Sequence, residues 1–305
     1  MSNWNRVATV PMHRTLFSAM GRSQQRIGEV QQQMATGKKA SDYAGLGNET
    51  IRNLSARTMM ARQEANGAVA KGLGTTLALM DANMSGLQDA MLKLRNSLLE
   101  TVGSGRGTGL QEAAEEAFQH FRTALNADGG GAPLFAGSQT DRVPFATTSL
   151  AGTAGLTPAA AFANDDVRAT ARVADGLDVT YGITASELGT DLLAAFRTIA
   201  EAGAIGDAPT AAQMTALGTA VGQIEQGLKT VRALSADNGR RQAQVEVLAT
   251  RADERSLVLR KLIERNEDAD MAEVASELVQ RQATLEASYT VFSRLANLSL
   301  VNFLR

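Results

Sequence analysis

Heptad repeats near both ends of the chain constrain its fold more than any other feature of the sequence. The N-terminal repeat alternates steps of four and three residues, and its members are Leu16, Met20, Ser23, Ile27, Val30 and Met34. The C-terminal repeat has apolar residues seven apart, at Met271, Leu278, Leu285 and Phe292. Such spacings place apolar side chains on one face of a helix, which then needs a second helix to cover it. Neither repeat has an adjacent partner of matching length, so we expect the two ends to pair with each other or with other chains.

A much longer helix is predicted between Asn48 and Thr101. Its second half keeps the alternation of four and three over eight positions, which are Leu73, Leu77, Met80, Met84, Leu87, Met91, Leu94 and Leu98. At about 1.5 Å per residue this helix would be ~80 Å long, whereas helices of globular proteins average about 11–12 residues. A third helix is predicted from Leu110 to Leu125, after a glycine-rich break.

The second half of the chain is also mostly helical in its pattern. We expect a helix with Ser186 as its N-cap, because serine favours that position. A long helix is predicted after Pro209, and a separate one after Asn238-Gly239, since an Asn-Gly pair commonly marks a turn.

One short segment in the middle of the chain has the pattern of β-strands. Residues 167–173 alternate apolar and polar side chains, Asp175-Gly176 is a turn signal, and residues 177–181 alternate again. Two alternating runs joined by such a turn predict a β-hairpin.

The expected fold class is therefore mainly α. It is a long antiparallel helical bundle or coiled coil built from both chain ends, with a small β-containing inserted domain. We expect a terminal coiled-coil domain (1–45 and 268–305), a helical core domain (46–145 and 186–267) and a small β-rich outer domain (146–185).

Composition argues against several classes of function. The formal net charge of −2 is too balanced for a general nucleic-acid partner. No apolar run reaches about 18 residues, so we expect no membrane insertion. Cysteine is absent, and the two histidines, His13 and His120, are far apart, which disfavours metal sites and nucleophilic triads. We predict no catalytic, cofactor-binding or metal-binding residues and no enzyme activity.

Four acidic residues before the last predicted helix admit two interpretations. Glu264, Glu267, Asp268 and Asp270 could bind a divalent cation, but the EF-hand spacing with its central glycine is absent. Asp270 also precedes an apolar periodic run with Glu273 three residues later, which is the pattern of a helix N-cap. We favour a capped and solvated helix start.

The C-terminal tip is apolar on more than one helical stripe. A helix that is apolar nearly all round is normally buried, so the tip needs either the chain's own body or another chain, and we favour another chain. The predicted assembly interface combines this tip with the two repeats. Its residues are Leu16, Met20, Ile27, Val30, Met34, Met271, Leu278, Leu285, Phe292, Leu295, Leu298, Leu300, Phe303 and Leu304.

Three blocks at the two ends resemble the flagellin superfamily. Residues 31–42 (QQQMATGKKASD) are similar to the turn between the first two helices of that family. Residues 267–273 (EDADMAE) are similar to the opening of its terminal helix. Leu285-Glu286-Ala287-Ser288 and residues 298–304 (LSLVNFL) are similar to its closing segment. The three blocks occur in the family's order and at the family's ends.

Within this superfamily, residues 133–145 (PLFAGSQTDRVPF) resemble the hook-associated protein 3 branch, the hook–filament junction proteins. The resemblance implies an extracellular structural subunit of the bacterial flagellum, secreted by the flagellar type III exporter. The partners that it implies are copies of the same chain, hook-associated protein 1, flagellin, and an export chaperone at the C-terminal helix. Two alternatives stay open: flagellin itself, and an intracellular coiled-coil adaptor.

Overall fold

The computed structural model describes the backbone of residues 4–301 and the side chains of residues 14–294. Within this range the helices are long and the strands are few, which confirms the mainly α fold class. The elements are α1 (Trp4–Thr36), α2 (Glu49–Ser104), α3 (Leu110–Leu125), α4 (Pro158–Ala161), β1 (Ala169–Ala174), β2 (Leu177–Tyr181), α5 (Ala185–Glu201), α6 (Ala211–Glu267) and α7 (Met271–Val301). None of the helices in the described range combines the length and the apolar character that a membrane span requires.

The chain forms two compact units. The terminal unit consists of residues 1–61 and 256–305, and the central unit consists of residues 62–255. These borders differ from the predicted three-domain division, since residues 146–185 fall within the central unit.

Aromatic side chains form the centre of the core of the central unit. Phe118 and Phe121 of α3 and Phe196 of α5 are fully buried, as is Phe145 from the loop after α3. The ring centroid of Phe121 lies 5.1 Å from that of Phe196 and 5.2 Å from that of Phe145. Helix α2 contributes the heptad positions from Met80 to Leu98 to the same buried cluster. The predicted heptad of α2 therefore packs inside its own chain.

The hairpin lies on the helices of the central unit. Strands β1 and β2 pair antiparallel, with Ala171 opposite Val179. Val173 and Val179 are buried in a second cluster that includes Leu77 of α2 and Val245 of α6. A two-stranded hairpin has little stability by itself, and this contact supplies the apolar face that it needs.

Other residues of the expected insert enter the main core. Leu150, Ala161 and Ile183 are buried in the same cluster as Phe118. The segment between residues 146 and 185 thus helps to close the central unit, and this burial argues against a separable outer domain.

The N-cap of helix α5 is Thr184 and not Ser186, two residues earlier than the sequence predicted. The Thr184 hydroxyl accepts the Glu187 backbone N–H at 3.3 Å, and the Glu187 carboxylate accepts the Thr184 N–H at 3.1 Å. This reciprocal pair is a capping box. The Ser186 hydroxyl instead contacts Asn164 Nδ2 at 2.9 Å.

The predicted break at Asn238-Gly239 is wrong, since α6 continues through it. Asn238 is buried, and its side-chain Nδ2 donates to the backbone oxygen of Leu77 on α2 at 2.8 Å. The Asn238 amide therefore has a partner on the neighbouring helix, so the helical conformation does not leave its buried Nδ2 unpaired.

The hook-associated-like segment, residues 133–145, forms a loop after α3. Phe135 and Phe145 near its ends are fully buried. Asn126, at the end of α3, binds the backbone of Phe145 twice. The Phe145 N–H donates to Asn126 Oδ1 at 2.9 Å, and the Phe145 oxygen accepts from Asn126 Nδ2 at 2.8 Å. Core packing and backbone pairing thus account for the two ends of this segment.

Gly137 stands at a tight point of the same loop. Its φ is +68°, and an added Cβ would lie 2.6 Å from the backbone oxygen of Asp165. The next residue, Ser138, donates its backbone N–H to Asp165 Oδ1 at 2.8 Å. Hydrogen bonds from the Ser138 side chain and backbone lower the pKa of Asp165. A side chain at Gly137 would therefore disturb a loop that is held by a carboxylate.

We expect Gly137→Ala to lower the free energy of unfolding by about 2–4 kcal/mol, combining the left-handed backbone with a steric clash. Gly155→Ala is a matched control, because Gly155 has the same φ of +68° and an added Cβ there meets nothing within 4 Å. The control should lose only about 1 kcal/mol. Urea unfolding of both variants would test this, and equal losses would contradict the role of the Asp165 contact.

Candidate assembly interface

Helices α1 and α7 pack against each other antiparallel within the terminal unit. The rings of Phe17 and Phe292 meet edge to face with centroids 4.9 Å apart. Gln24 Nε2 donates to Tyr289 Oη at 2.7 Å. Of the two arrangements expected from the repeats, the described residues thus adopt pairing of the two ends of one chain.

The predicted interface residues differ in how far this pairing covers them. Met20 and Val30 are buried. Partly buried are Leu16, Ile27, Leu278, Leu285 and Phe292. Met34 and Met271 remain 38% and 44% exposed. The side chains of Leu295, Leu298 and Leu300, and the whole of Phe303 and Leu304, lie outside the described residues. Assembly through these positions stays a prediction.

Large apolar side chains outside the repeats are also exposed on these two helices. Phe17, Val279 and Val291 are 59%, 67% and 50% exposed. Heptad reasoning missed them because it selects only the seam between two helices. A helix that packs against one partner has only one covered face. Marking every large apolar residue on the other faces of such a helix would identify these positions.

A second exposed apolar surface lies in the terminal unit, on the first turns of α2 and the last turns of α6. Ile51, Met59, Leu259 and Leu262 line a shallow groove there. Ile51 is the most exposed of the large apolar residues in the described range, at 79%. None of these four residues belongs to the predicted assembly interface, since their spacing resembles that of any amphipathic helix.

The turn after α1 is paired with the turn before α7 by backbone hydrogen bonds. The Lys39 N–H donates to the Glu267 oxygen at 2.7 Å, and the Ala269 N–H donates to the Gly37 oxygen at 2.9 Å. Lys38 and Asp268 form an antiparallel bridge between these bonds. Two of the blocks that resemble the flagellin superfamily are therefore in direct contact.

Five side chains surround this pairing, and we call Lys38, Asn53, Arg57, Glu267 and Asp268 the Glu267 cluster. The Glu267 carboxylate accepts from Arg57 Nη2 at 2.6 Å and from Asn53 Nδ2 at 2.5 Å. Lys38 Nζ lies 2.6 Å from Asp268 and 3.4 Å from Glu267. Glu267 is 9% exposed, so its charge needs such partners. Sequence reasoning missed Asn53 and Arg57, because they lie more than 200 positions away from their partner.

The electrostatics of the cluster favour the charged forms of Glu267, Lys38 and Arg57. Burial raises the pKa of Glu267, but hydrogen bonds from Asn53 and Arg57 and the charge of Arg57 outweigh it, so the pKa is lowered from its ordinary 4.5. The hydrogen bond to Asp268 is the main cause that raises the pKa of Lys38. Its hydrogen bond to Glu267 likewise raises the pKa of Arg57.

The lowered pKa of Glu267 predicts a loss of stability in acid. The contribution of Glu267 is fully present above pH 4.5, and it disappears as the pH falls through the lower value that the group has in the folded state. Hydrogen exchange of α1 and α7 peptides between pH 6 and pH 3 would measure it. Glu267→Gln should abolish this step, and an unchanged step in that variant would assign it to another carboxylate.

The interpretation of the acidic residues as a helix start fits their contacts. Asp270 Oδ1 accepts the backbone N–H groups of Ala272 and Glu273 at 2.9 Å and 3.3 Å, so it caps α7. Glu267 and Asp268 are bound to cationic side chains. In the part of the chain that the structure describes, no cluster of three or more histidine or acidic residues could hold a metal ion.

The fold and these contacts define a mainly helical protein in which α1 and α7 form one antiparallel helix pair. Residues 221–304 match the family model of the bacterial flagellin C-terminal helical region. This match confirms the resemblance to the flagellin superfamily that the end segments suggested. A comparison with curated proteins found no sequence match.

Solved structures of flagellar hook-associated proteins share the fold. A protein from Vibrio parahaemolyticus assigned as a flagellar hook-associated protein has a TM-score of 0.60 at 15% identity, and the match covers 74% of this chain and 99% of that protein. FlgL from Xanthomonas campestris has a TM-score of 0.56 at 12% identity, with 69% and 99% covered. FlgL from Bacillus cereus has a TM-score of 0.54 at 14% identity, with 69% and 98% covered.

Proposed function

We propose that this chain is a structural subunit of the bacterial flagellum, located at the junction between hook and filament, and that it has no catalytic role. One observation carries the proposal: a chain whose C-terminal region matches the flagellin family pairs its two ends as one antiparallel helix pair. That pair leaves apolar side chains such as Phe17 and Val279 exposed. Exposed apolar surface of this kind is typical of protein–protein contacts.

The location at the junction rests on the relatives and on residues 133–145. Three solved structures that share the fold are hook-associated proteins. Core packing explains the ends of the segment, whereas Asp141, Arg142 and Val143 at its middle are exposed. Exposed residues can contact a partner protein, so these three are the part of the segment that could distinguish a junction subunit from a filament subunit.

The proposal includes the partners and the route of such a subunit. Copies of the chain would contact one another through the predicted assembly interface, with hook-associated protein 1 on one side and flagellin on the other. An export chaperone would cover the C-terminal helix before the flagellar type III exporter secretes the chain. The protein would then reside outside the cell as part of the flagellum.

Flagellin itself is the second candidate, because the matching family model is that of the flagellin C-terminal region. A junction subunit binds different proteins below and above, so it should not polymerise without limit.

A strain that lacks this chain should secrete flagellin into the medium without building filaments. Immunogold labelling should place the chain in a band at the base of the filament.

The same measurements separate the alternatives. Purified chain that grows filaments micrometres long on flagellar seeds would overturn the junction assignment in favour of flagellin. Label found only in the cytoplasm, together with normal filaments in the deletion strain, would overturn the flagellar assignment in favour of a coiled-coil adaptor.

A further inference from the structure

The repeats that pair α1 with α7 do not by themselves specify one alignment. Apolar residues recur every seven positions on α7, from Met271 to Phe292, and every seven on α1 at Met20, Ile27 and Met34, whereas Ser23 interrupts the second heptad position of α1. A shift of one helix by one heptad therefore brings apolar residues opposite apolar residues again. Coiled-coil seams with uniform repeats need an additional polar feature to fix their register.

The chain connections restrain the two helices unequally. Helix α7 follows α6 after three residues, 268–270, so it can hardly slide. Helix α1 is joined to α2 by residues 37–48, and a segment of that length can absorb the shift of about 10 Å that one heptad of helix requires. The register of α1 is thus the one that the connections leave open.

We infer that the Glu267 cluster sets the register of α1 on α7. Its contacts occur at the end of α1, where Gly37 and Lys39 pair with the backbone of Ala269 and Glu267. Lys38 reaches both Asp268 and Glu267, at 2.6 Å and 3.4 Å. A one-heptad shift would withdraw all of these groups together, because no neighbouring position of α1 repeats the Gly-Lys-Lys sequence.

The partners of Glu267 on α2 give the cluster a fixed reference point. Asn53 and Arg57 hold the carboxylate from the first turns of α2, with Arg57 forming contacts through both Nε and Nη2. A carboxylate bound by a guanidinium in two places is fixed in direction as well as in position. Lys38 therefore docks onto a group that does not follow α1 when that helix slides. This inference does not depend on where in the cell the protein acts.

The absence of cysteine from the chain makes the register directly measurable by crosslinking. Gln24→Cys with Tyr289→Cys reports the observed register, because these two side chains are in contact. Gln31→Cys with Tyr289→Cys reports a slip of one heptad, since Gln31 lies seven positions after Gln24 on α1. A short bifunctional maleimide reagent would be applied in buffer with ammonium sulfate, which favours apolar burial.

Each pair would be placed in the otherwise unchanged chain, in Glu267→Gln, in Lys38→Gln, and in Glu264→Gln as the control. Glu264 is an exposed carboxylate on the same last turns of α6. We expect the ratio of slipped to observed crosslinks to rise about tenfold in Glu267→Gln and Lys38→Gln, since the loss of a hydrogen bond to a charged group shifts an equilibrium constant by about that factor or more. The control should keep the original ratio.

The alternatives give different patterns. If the cluster only stabilised the unit, Glu267→Gln would lower both crosslinks in the same proportion, and the inference would be overturned. It would also be overturned if the unchanged chain already formed slipped and observed crosslinks equally. A shift of the ratio in Glu264→Gln as large as in Glu267→Gln would attribute the effect to net charge.

Discussion

Phe145→Ala should lower the free energy of unfolding of the central unit by about 3–5 kcal/mol, the usual cost of removing a fully buried phenylalanine. Phe145 is inaccessible to solvent, and its ring centroid lies 5.2 Å from Phe121 and 5.6 Å from Phe162. The substitution removes aromatic contacts to α3 and to the insert together. Hydrogen exchange of α3 and α5 peptides in urea would follow the loss.

Val143→Ala is the matched control, because Val143 lies two positions earlier in the same loop and is 56% exposed. It should change the free energy of unfolding by less than about 0.5 kcal/mol. A small effect of Phe145→Ala in the same assay would mean that the loop does not belong to the core. The two variants also divide the hook-associated-like segment into its structural and its exposed parts.

Val30→Asp should nearly abolish filaments in cells while leaving export of the subunit intact. Val30 is 3% exposed on a helix that packs against α7. A carboxylate at this position loses its hydration without gaining a partner, which costs at least ~2 kcal/mol. Every subunit in the assembly carries this cost, so we expect at least a tenfold fall in filaments per cell and more subunit in the medium.

Gln31→Asp introduces the same charge at the adjacent, exposed position of α1. Cells with this control should keep their filaments. Electron microscopy for filament counts and immunoblots of the medium would compare the two strains. Normal filament numbers in the Val30→Asp strain would contradict both the structural role of the seam and the proposed function that rests on it.

Local pattern was sufficient for most of the helices and for the hairpin. Helix α3 was predicted from Leu110 to Leu125 and has those bounds. The hairpin was predicted at residues 167–181, and its strands occupy 169–174 and 177–181. These features follow from periodicities of 3.6 and two residues, which are properties of neighbouring positions. The sequence also predicted a resemblance to the flagellin superfamily, through short segments close to both chain ends.

The errors of the sequence analysis arose where a distant residue decided a local conformation. Asn238-Gly239 has the composition of a turn, yet α6 continues there because the amide of Asn238 binds the backbone of α2. Ser186 and Thr184 are both suitable N-cap residues. Thr184 is the N-cap in the structure, because the Ser186 hydroxyl is hydrogen-bonded to Asn164. The local preference of a residue for a turn or for an N-cap position amounts to roughly 1 kcal/mol, and one buried hydrogen bond outweighs it.

The sequence alone therefore determined most of the helical segments, where the hairpin lies and that the chain ends carry seams in need of partners. Only the tertiary structure decided that α1 and α7 pair within one chain, and that Asn53 and Arg57 hold Glu267 between the two turns. The physical reason is that a heptad repeat shows that a helix needs an apolar partner but does not specify which helix that partner is. Charged and polar groups specify the partner helix and its alignment. Their hydrogen bonds form only when particular atoms from distant parts of the chain come within about 3 Å of each other.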